Sequence, residues 1–248
     1  MNNFMHGFFY PFKCVNLFFK YPKLILYSIV PMTINMIIYG TIFFFAYNWL
    51  IGSSSGVIES KVSNNIIVEI LGLLLKLFSF FLVLLLCYFA FVIFGGLISA
   101  PFNEKMSKLI EEEEFGIYID DGLTFFSEAF FSIKEETKKI LFYLIIILPL
   151  FFINFIPMIG NTISFVFGSL FSFYYNALDY MDYPMTRKMT GFRNKLRVIS
   201  SQKTLSAGFG AMAFILTFIP VVNVLINPLL VVSGTSLYYK KNYSQLTK

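Results

Sequence analysis

Charged residues are scarce in this chain. Only 13% of its 248 residues are Asp, Glu, Lys or Arg, and 57% are hydrophobic, whereas a soluble domain carries about 25% charged residues. One core cannot hide so much apolar surface, so the excess must face lipid. Histidine is nearly missing: His6 stands alone, with no second His and no Cys close by in sequence. The two cysteines, Cys14 and Cys87, are far apart and give neither a disulfide framework nor a metal-ligand spacing. Cys87 lies inside an apolar run and reads as a small hydrophobe. There is no GxxxxGK[ST] phosphate loop, no Asp-rich metal motif and no Ser/His/Asp constellation. These absences argue against an enzyme, and neither a cofactor nor a metal is expected. The start, MNNFMHGFFY, lacks the basic region and cleavage site of a signal peptide, so insertion is expected to rely on the membrane helices. No Gly/Ser-rich or Pro-rich linker interrupts the chain, and residues 1–248 read as a single membrane-embedded, all-α unit.

What is abundant is aromatic and aliphatic: 33 Phe and 15 Tyr, with a mean hydropathy of +0.73. A membrane helix needs about 20 apolar residues to cross a hydrocarbon core of about 30 Å. Two segments are long enough, residues 24–51 and 66–100, and both are expected to span. Pro31 fits as a first-turn residue or a kink, and Glu69 and Lys76 read as an interfacial pair. Residues 1–23 mix Phe8, Phe9, Phe12, Val15, Phe18 and Phe19 with Lys13, Asn16 and Lys20, the pattern of an amphipathic helix lying in the interface. Residues 140–178 and 205–239 are apolar but broken by FIPMIGN and FIPVVN. Each reads as a helical hairpin whose short arms either span or re-enter. Gly168, Gly208, Gly210 and Gly234 are expected at close helix contacts.

Of the 19 basic residues, all but Lys61 and Lys76 fall in four regions: before the first span, in 101–139, in 179–204 and in the tail. The positive-inside rule places all four, and both termini, in the cytoplasm of a bacterial inner-membrane protein. This topology accounts for the net charge of +5 better than nucleic-acid binding does. Arg187, Arg193 and Arg197 cluster in residues 179–204, which reads first as ordinary positive-inside bias and otherwise as a guanidinium patch for an anion or a lipid headgroup. The run Glu111 to Glu114, with Asp120 and Asp121, reads as a solvated helix face. The breaks at Pro157, Gly160 and Asn161 and at Pro220 and Asn223 release backbone groups that either line a pore or turn a hairpin.

Several motifs in order carry a resemblance: GFFY at Gly7, Pro22 and Pro31 followed by Asn35, ISAPFNEKM at Ile98, and FIPMIGNT. They continue with LDYMDYP at Leu178, GFR at Gly191, GFGAMAFILTFIPVVNVLINP at Gly208 and SGTSLYY at Ser233. The chain resembles the CysZ sulfate permeases and the related etoposide-induced membrane proteins. That resemblance implies two long transmembrane helices, two partly penetrating hairpins, an oligomer, and entry of sulfate for cysteine synthesis. One departure stands out. Where the permeases carry a Gly-hydrophobic-Arg-Arg stretch after the proline, this chain has Lys23 for the glycine, and Ile25 and Leu26 for the arginines. Lys20, Lys23 and the helix start at Leu24, with Arg193 and Arg197, are therefore the anion-binding candidates, for sulfate or another small anion. The alternative is a non-transporting membrane scaffold or assembly factor, favoured by the missing arginine pair.

Overall fold

The computed structural model describes residues 3–59, 66–118, 125–188, 191–218 and 220–241, with the backbone alone at 53–59, 66–69, 92, 93, 125, 220–222 and 224. Lys61, Asp120, Asp121, Ile219 and Lys248, and the side chains of Glu69 and Pro220, lie outside the described residues. Every regular element among the described residues is a helix: α1 (Asn3–Phe8), α2 (Tyr10–Lys13), α3 (Val15–Lys20), α4 (Lys23–Glu59) and α5 (Ile66–Phe115). Then follow α6 (Phe125–Ile153), α7 (Gly160–Lys188), α8 (Phe192–Ser201), α9 (Lys203–Phe218) and α10 (Pro220–Lys240). The chain divides into two compact units, Pro31–Ser99 on the one hand and Met1–Val30 with Ala100–Lys248 on the other. Composition marks no such boundary, because α4 and α5 each run from one unit into the other.

In the Pro31–Ser99 unit, α4 and α5 face each other through a seam of aromatic and polar contacts. Asn35 donates to the Pro31 carbonyl (2.9 Å) and to Ser99 Oγ (3.3 Å), and the Tyr39 hydroxyl donates to the Ala90 carbonyl. Tyr39 meets Phe91, and Phe43 meets Phe80, edge to face. The other faces carry Phe44, Phe45, Trp49, Leu73, Phe78 and Phe81, all exposed. In an 18-residue apolar stretch within each of Lys23–Gly52 and Ile70–Phe115, only 11% and 19% of the residues are buried, where the core helix of a soluble protein would be mostly covered. These helices belong in a membrane. Helix α5 has 50 residues, about 75 Å at ~1.5 Å per residue, and thus continues well past Ala100, carrying the ISAPFNEKM and EEEE segments with it.

The other unit packs the remaining helices around α7, which contacts α6, α8, α9 and α10. Residues 3–20, expected to be one amphipathic helix with their neighbours, form three short helices. Pro11 supplies no amide donor, and the chain steps through 3₁₀-like bonds from Cys14 to Pro11 and from Leu17 to Cys14. Tyr10, Cys14 and Leu17 are buried while Phe9, Phe12, Val15 and Phe19 stay exposed, so the segment has a docked face and a free apolar face. Its docking needs glycine at the crossing with α9: a Cβ on Gly7 would lie 2.2 Å from the Leu205 carbonyl oxygen, and one on Gly208 2.1 Å from that of Phe4. Between α6 and α7 the chain turns over residues 154–159, with Met158 at φ 68° and Phe155, Ile156, Met158 and Ile159 exposed. Helix α9 has 16 residues, about 24 Å, short of the ~30 Å hydrocarbon core.

Gly234 of α10 is equally constrained, since a Cβ there would sit 2.2 Å from the Tyr180 carbonyl oxygen, whereas Gly72 has nothing within 4 Å. Gly234→Ala is expected to lower stability in detergent by about 1–3 kcal/mol through overpacking, and Gly72→Ala to leave it unchanged or slightly raised. Parallel thermal unfolding of the two variants, followed by circular dichroism, checks the contrast.

Candidate functional site

The anion-binding candidates lie in different settings. Lys20 is occupied: its ammonium is 2.8 Å from Glu114, and this hydrogen bond draws the Glu114 carboxyl below its ordinary pKa. Lys23 is exposed at the start of α4. Leu24 is fully buried and its amide donates to the Tyr21 carbonyl at 3.0 Å, as that of Ile25 does to Pro22, so neither amide is turned to a ligand. Helix α8 is amphipathic in the strict sense: Lys195, Val198 and Ile199 are buried, and Arg193 and Arg197 exposed. One turn apart, the two guanidinium groups share a face, and neither pairs with a carboxylate among the described residues. The same helix is fixed to α7 by the Tyr174 hydroxyl, which donates to the Leu196 carbonyl at 2.6 Å.

Arg187 is not part of that patch. It turns inward, its side chain 4% exposed, and pairs with Glu104 and with Glu111 at 2.8 Å. It also donates to Ser107 Oγ at 2.9 Å. A guanidinium with five donors needs several acceptors when buried, and α5 supplies them one turn apart. Glu111 is itself fully buried and accepts from the Tyr239 hydroxyl at 2.7 Å. The first glutamate of the EEEE run is therefore an internal ion-pair partner and not part of a solvated face.

A second buried cluster lies where α6, α7 and α8 meet. Lys139, 2% exposed, contacts Glu136 at 2.7 Å, Asp179 at 2.6 Å and Asp182 at 3.9 Å. Its ammonium also lies over the Tyr183 ring, whose hydroxyl accepts from Asn103. Lys195 bonds Thr186 at 2.6 Å and approaches Glu135 at 3.2 Å and Asp182 at 2.8 Å. The last contact is close but not aligned as a hydrogen bond, so its attraction is electrostatic. A cavity of about 190 Å³, lined by Glu104, Lys108, Glu128, Thr186 and Arg187 among others, opens beside the two groups.

Carboxylates outnumber cations here. Burial pushes Glu104 above its usual range against the pull of Arg187, and it pushes Glu136 up to about 7, because Lys139 is shared with Asp179 and Asp182. Burial would lower the pKa of Lys139, but Asp179 and Glu136 outweigh it and keep the ammonium charged. Such an interior repels a free dianion. It holds helices together through the ion pairs of Arg187, Lys139 and Lys195.

The turn residues Pro157 and Asn161 are exposed and Gly160 is buried. A pocket of about 690 Å³ bordered by Asn154, Asn161, Thr162 and Ser164 lies at this hairpin end. Asn223 is half-buried in the first turn of α10. Sequence reasoning missed Glu104, Glu111, Lys139, Asp179, Asp182 and Lys195. The available signal was the i,i+3 spacing of Glu136 with Lys139 and of Asp179 with Asp182, next to tyrosines.

Arg187→Met is expected to destabilise the fold by about 3–5 kcal/mol, since it leaves buried carboxylates unpaired; denaturant unfolding in detergent measures it, and added Glu104→Gln and Glu111→Gln should restore part of the loss. Glu136 has its pKa raised from 4.5 to about 7 in the folded chain. The native state thus binds this proton more tightly, and the group's contribution to stability falls as pH rises across that window. Unfolding at several pH values should show a flatter profile between pH 4.5 and 7 for Glu136→Gln than for the wild type.

Residues 10–228 match the family model described as sulfate transporter CysZ/etoposide-induced protein 2.4. The sulfate transporter CysZ of Pectobacterium atrosepticum is 27% identical over 237 residues, covering 94% of this chain and 83% of that protein. That of Salmonella typhimurium is 29% identical over 215 residues, 86% of this chain and 83% of the relative. That of Pseudomonas syringae pv. tomato is 31% identical over 166 residues, 64% of each chain. With the match running from the N-terminal helices into α10, this chain belongs to the sulfate transporter CysZ/etoposide-induced protein 2.4 family.

Proposed function

We propose that this chain is a multi-pass protein of a bacterial inner membrane that carries sulfate or another small anion into the cell, as an oligomer and with both termini cytoplasmic. The observation that carries the reading is the near full-length similarity to relatives named sulfate transporter CysZ. The exposed Arg193 and Arg197 on α8 support it by offering planar bidentate donors to a tetrahedral oxyanion. The residues that replace the Gly-hydrophobic-Arg-Arg stretch offer less: Lys20 is tied to Glu114, and the Leu24 amide is used within the chain. The anion therefore meets Arg193, Arg197 and, secondarily, Lys23. The hairpin breaks at Pro157 to Asn161 and Pro220 to Asn223 belong to the path, and the spans at 24–51 and 66–100 anchor it.

The missing arginine pair favours a second reading, a membrane scaffold without transport. Labelled sulfate uptake into proteoliposomes separates the two. Saturable uptake that falls roughly tenfold in Arg193→Ala/Arg197→Ala, the loss expected for one charge-assisted contact, and less in Lys20→Ala/Lys23→Ala, supports the proposal. Folded protein with no flux of sulfate or of competing anions supports the scaffold.

A further inference from the structure

We propose that the pocket formed by His6, Lys13, Lys240 and Lys241 holds the phosphate group of an anionic phospholipid at the membrane surface. The pocket measures about 420 Å³, is lined on its buried side by Tyr10 and Cys14, and includes none of the residues assigned to the transported anion, so it does not depend on what that anion is. Three ammonium groups converge on it, and the nearest carboxylate contact among the described residues is Glu114, 3.6 Å from Lys240 and shared with Lys20. Lys13 and Lys241 pair with no carboxylate among those residues. His6 Nε2 is buried without a hydrogen-bond partner, a costly condition for a polar atom. Burial, Lys241 and Lys13 together hold the imidazole below its ordinary pKa. A phosphate oxygen would give Nε2 an acceptor and would offset the repulsion among the cations.

The source of that phosphate follows from the neighbouring surface. Phe9, Phe12 and Phe19 of the same N-terminal segment are exposed, an apolar face on the segment that gives the pocket His6 and Lys13. This is the arrangement that sets an amphipathic segment at the headgroup level with its aromatics in the acyl boundary. The backbone on the far wall is fixed, because the Lys241 amide bonds the Leu237 carbonyl at 3.1 Å and the Gln202 side chain donates to the Lys241 carbonyl.

The chain has a single histidine, so one imidazole resonance reports on the site. Purified full-length protein in neutral detergent is titrated with phosphatidylglycerol, phosphatidylcholine or inorganic phosphate, and the His6 resonance is followed against pH. Phosphatidylglycerol should bind saturably and raise the His6 pKa, with little effect from phosphatidylcholine. Lys13→Ala/Lys241→Ala should weaken that binding by roughly tenfold or more, and the charge-matched control Lys134→Ala/Lys138→Ala should not. Equal binding of the two lipids, or equal loss in both double variants, would overturn the site. An identical His6 response to inorganic phosphate at the same affinity would overturn the lipid as its occupant. Lys13→Gln/Lys241→Gln repeats the test with larger polar side chains should the alanine variant lose its helical spectrum.

Discussion

Burying Arg187 commits much of the molecule. A guanidinium that has left water must meet acceptors in its own plane or the fold loses several kcal/mol. Glu104, Glu111 and Ser107 of α5 meet it. Glu111 in turn fixes Tyr239 near the end of α10, and Ser107 bonds Thr235 one turn earlier. One arginine near the end of α7 thereby ties residues 104–111 of α5 and the C-terminal helix together. Lys139 and Lys195 extend the same principle to α6 and α8. The LDYMDYP segment supplies Asp179, Asp182 and the Tyr183 ring, all of which meet Lys139, and the Tyr183 hydroxyl accepts from Asn103 of α5.

This ionic interior lets the remaining surface be apolar. Helices that enter lipid gain nothing from burying leucine against leucine, so their association rests on close approach and on polar contacts. The glycines at the α1–α9 and α7–α10 crossings supply the close approach, and the tyrosine and serine hydroxyls of α5, α7 and α10 supply the polar contacts. The outward Phe and Leu of α4 and α5 are then left to the bilayer. Segregation of charge has a functional side as well. Cations tied to buried carboxylates are not open to a solute, whereas Lys13, Lys23, Lys134, Lys138, Arg193, Arg197 and Lys203 stay exposed.

Much of the architecture was legible in the sequence, because the bilayer imposes a length and a polarity that composition reveals directly. The two long apolar helices and the helix ends near Pro157 and Pro220 follow from hydropathy and from the missing proline amide. The segmentation of residues 1–23 was less visible, since amphipathic periodicity survives a chain that steps through 3₁₀ turns. The ionic core was not legible: Glu111 differs from Glu112 and Glu113 only in which side of α5 faces α7 and α10, and a run of four glutamates hides that phase. Likewise Arg187, Arg193 and Arg197 look equivalent along the chain, and only the three-dimensional direction of each side chain separates a structural cation from two available ones.

The measurement that bears most directly on this division is anomalous diffraction from crystals soaked in selenate, a heavier tetrahedral analogue of sulfate. The account predicts anomalous density beside Arg193 and Arg197, with Glu104 and Glu111 still paired to Arg187. Density at Arg187 or Lys139, with their carboxylates displaced, would contradict it and would make the buried cations the anion site.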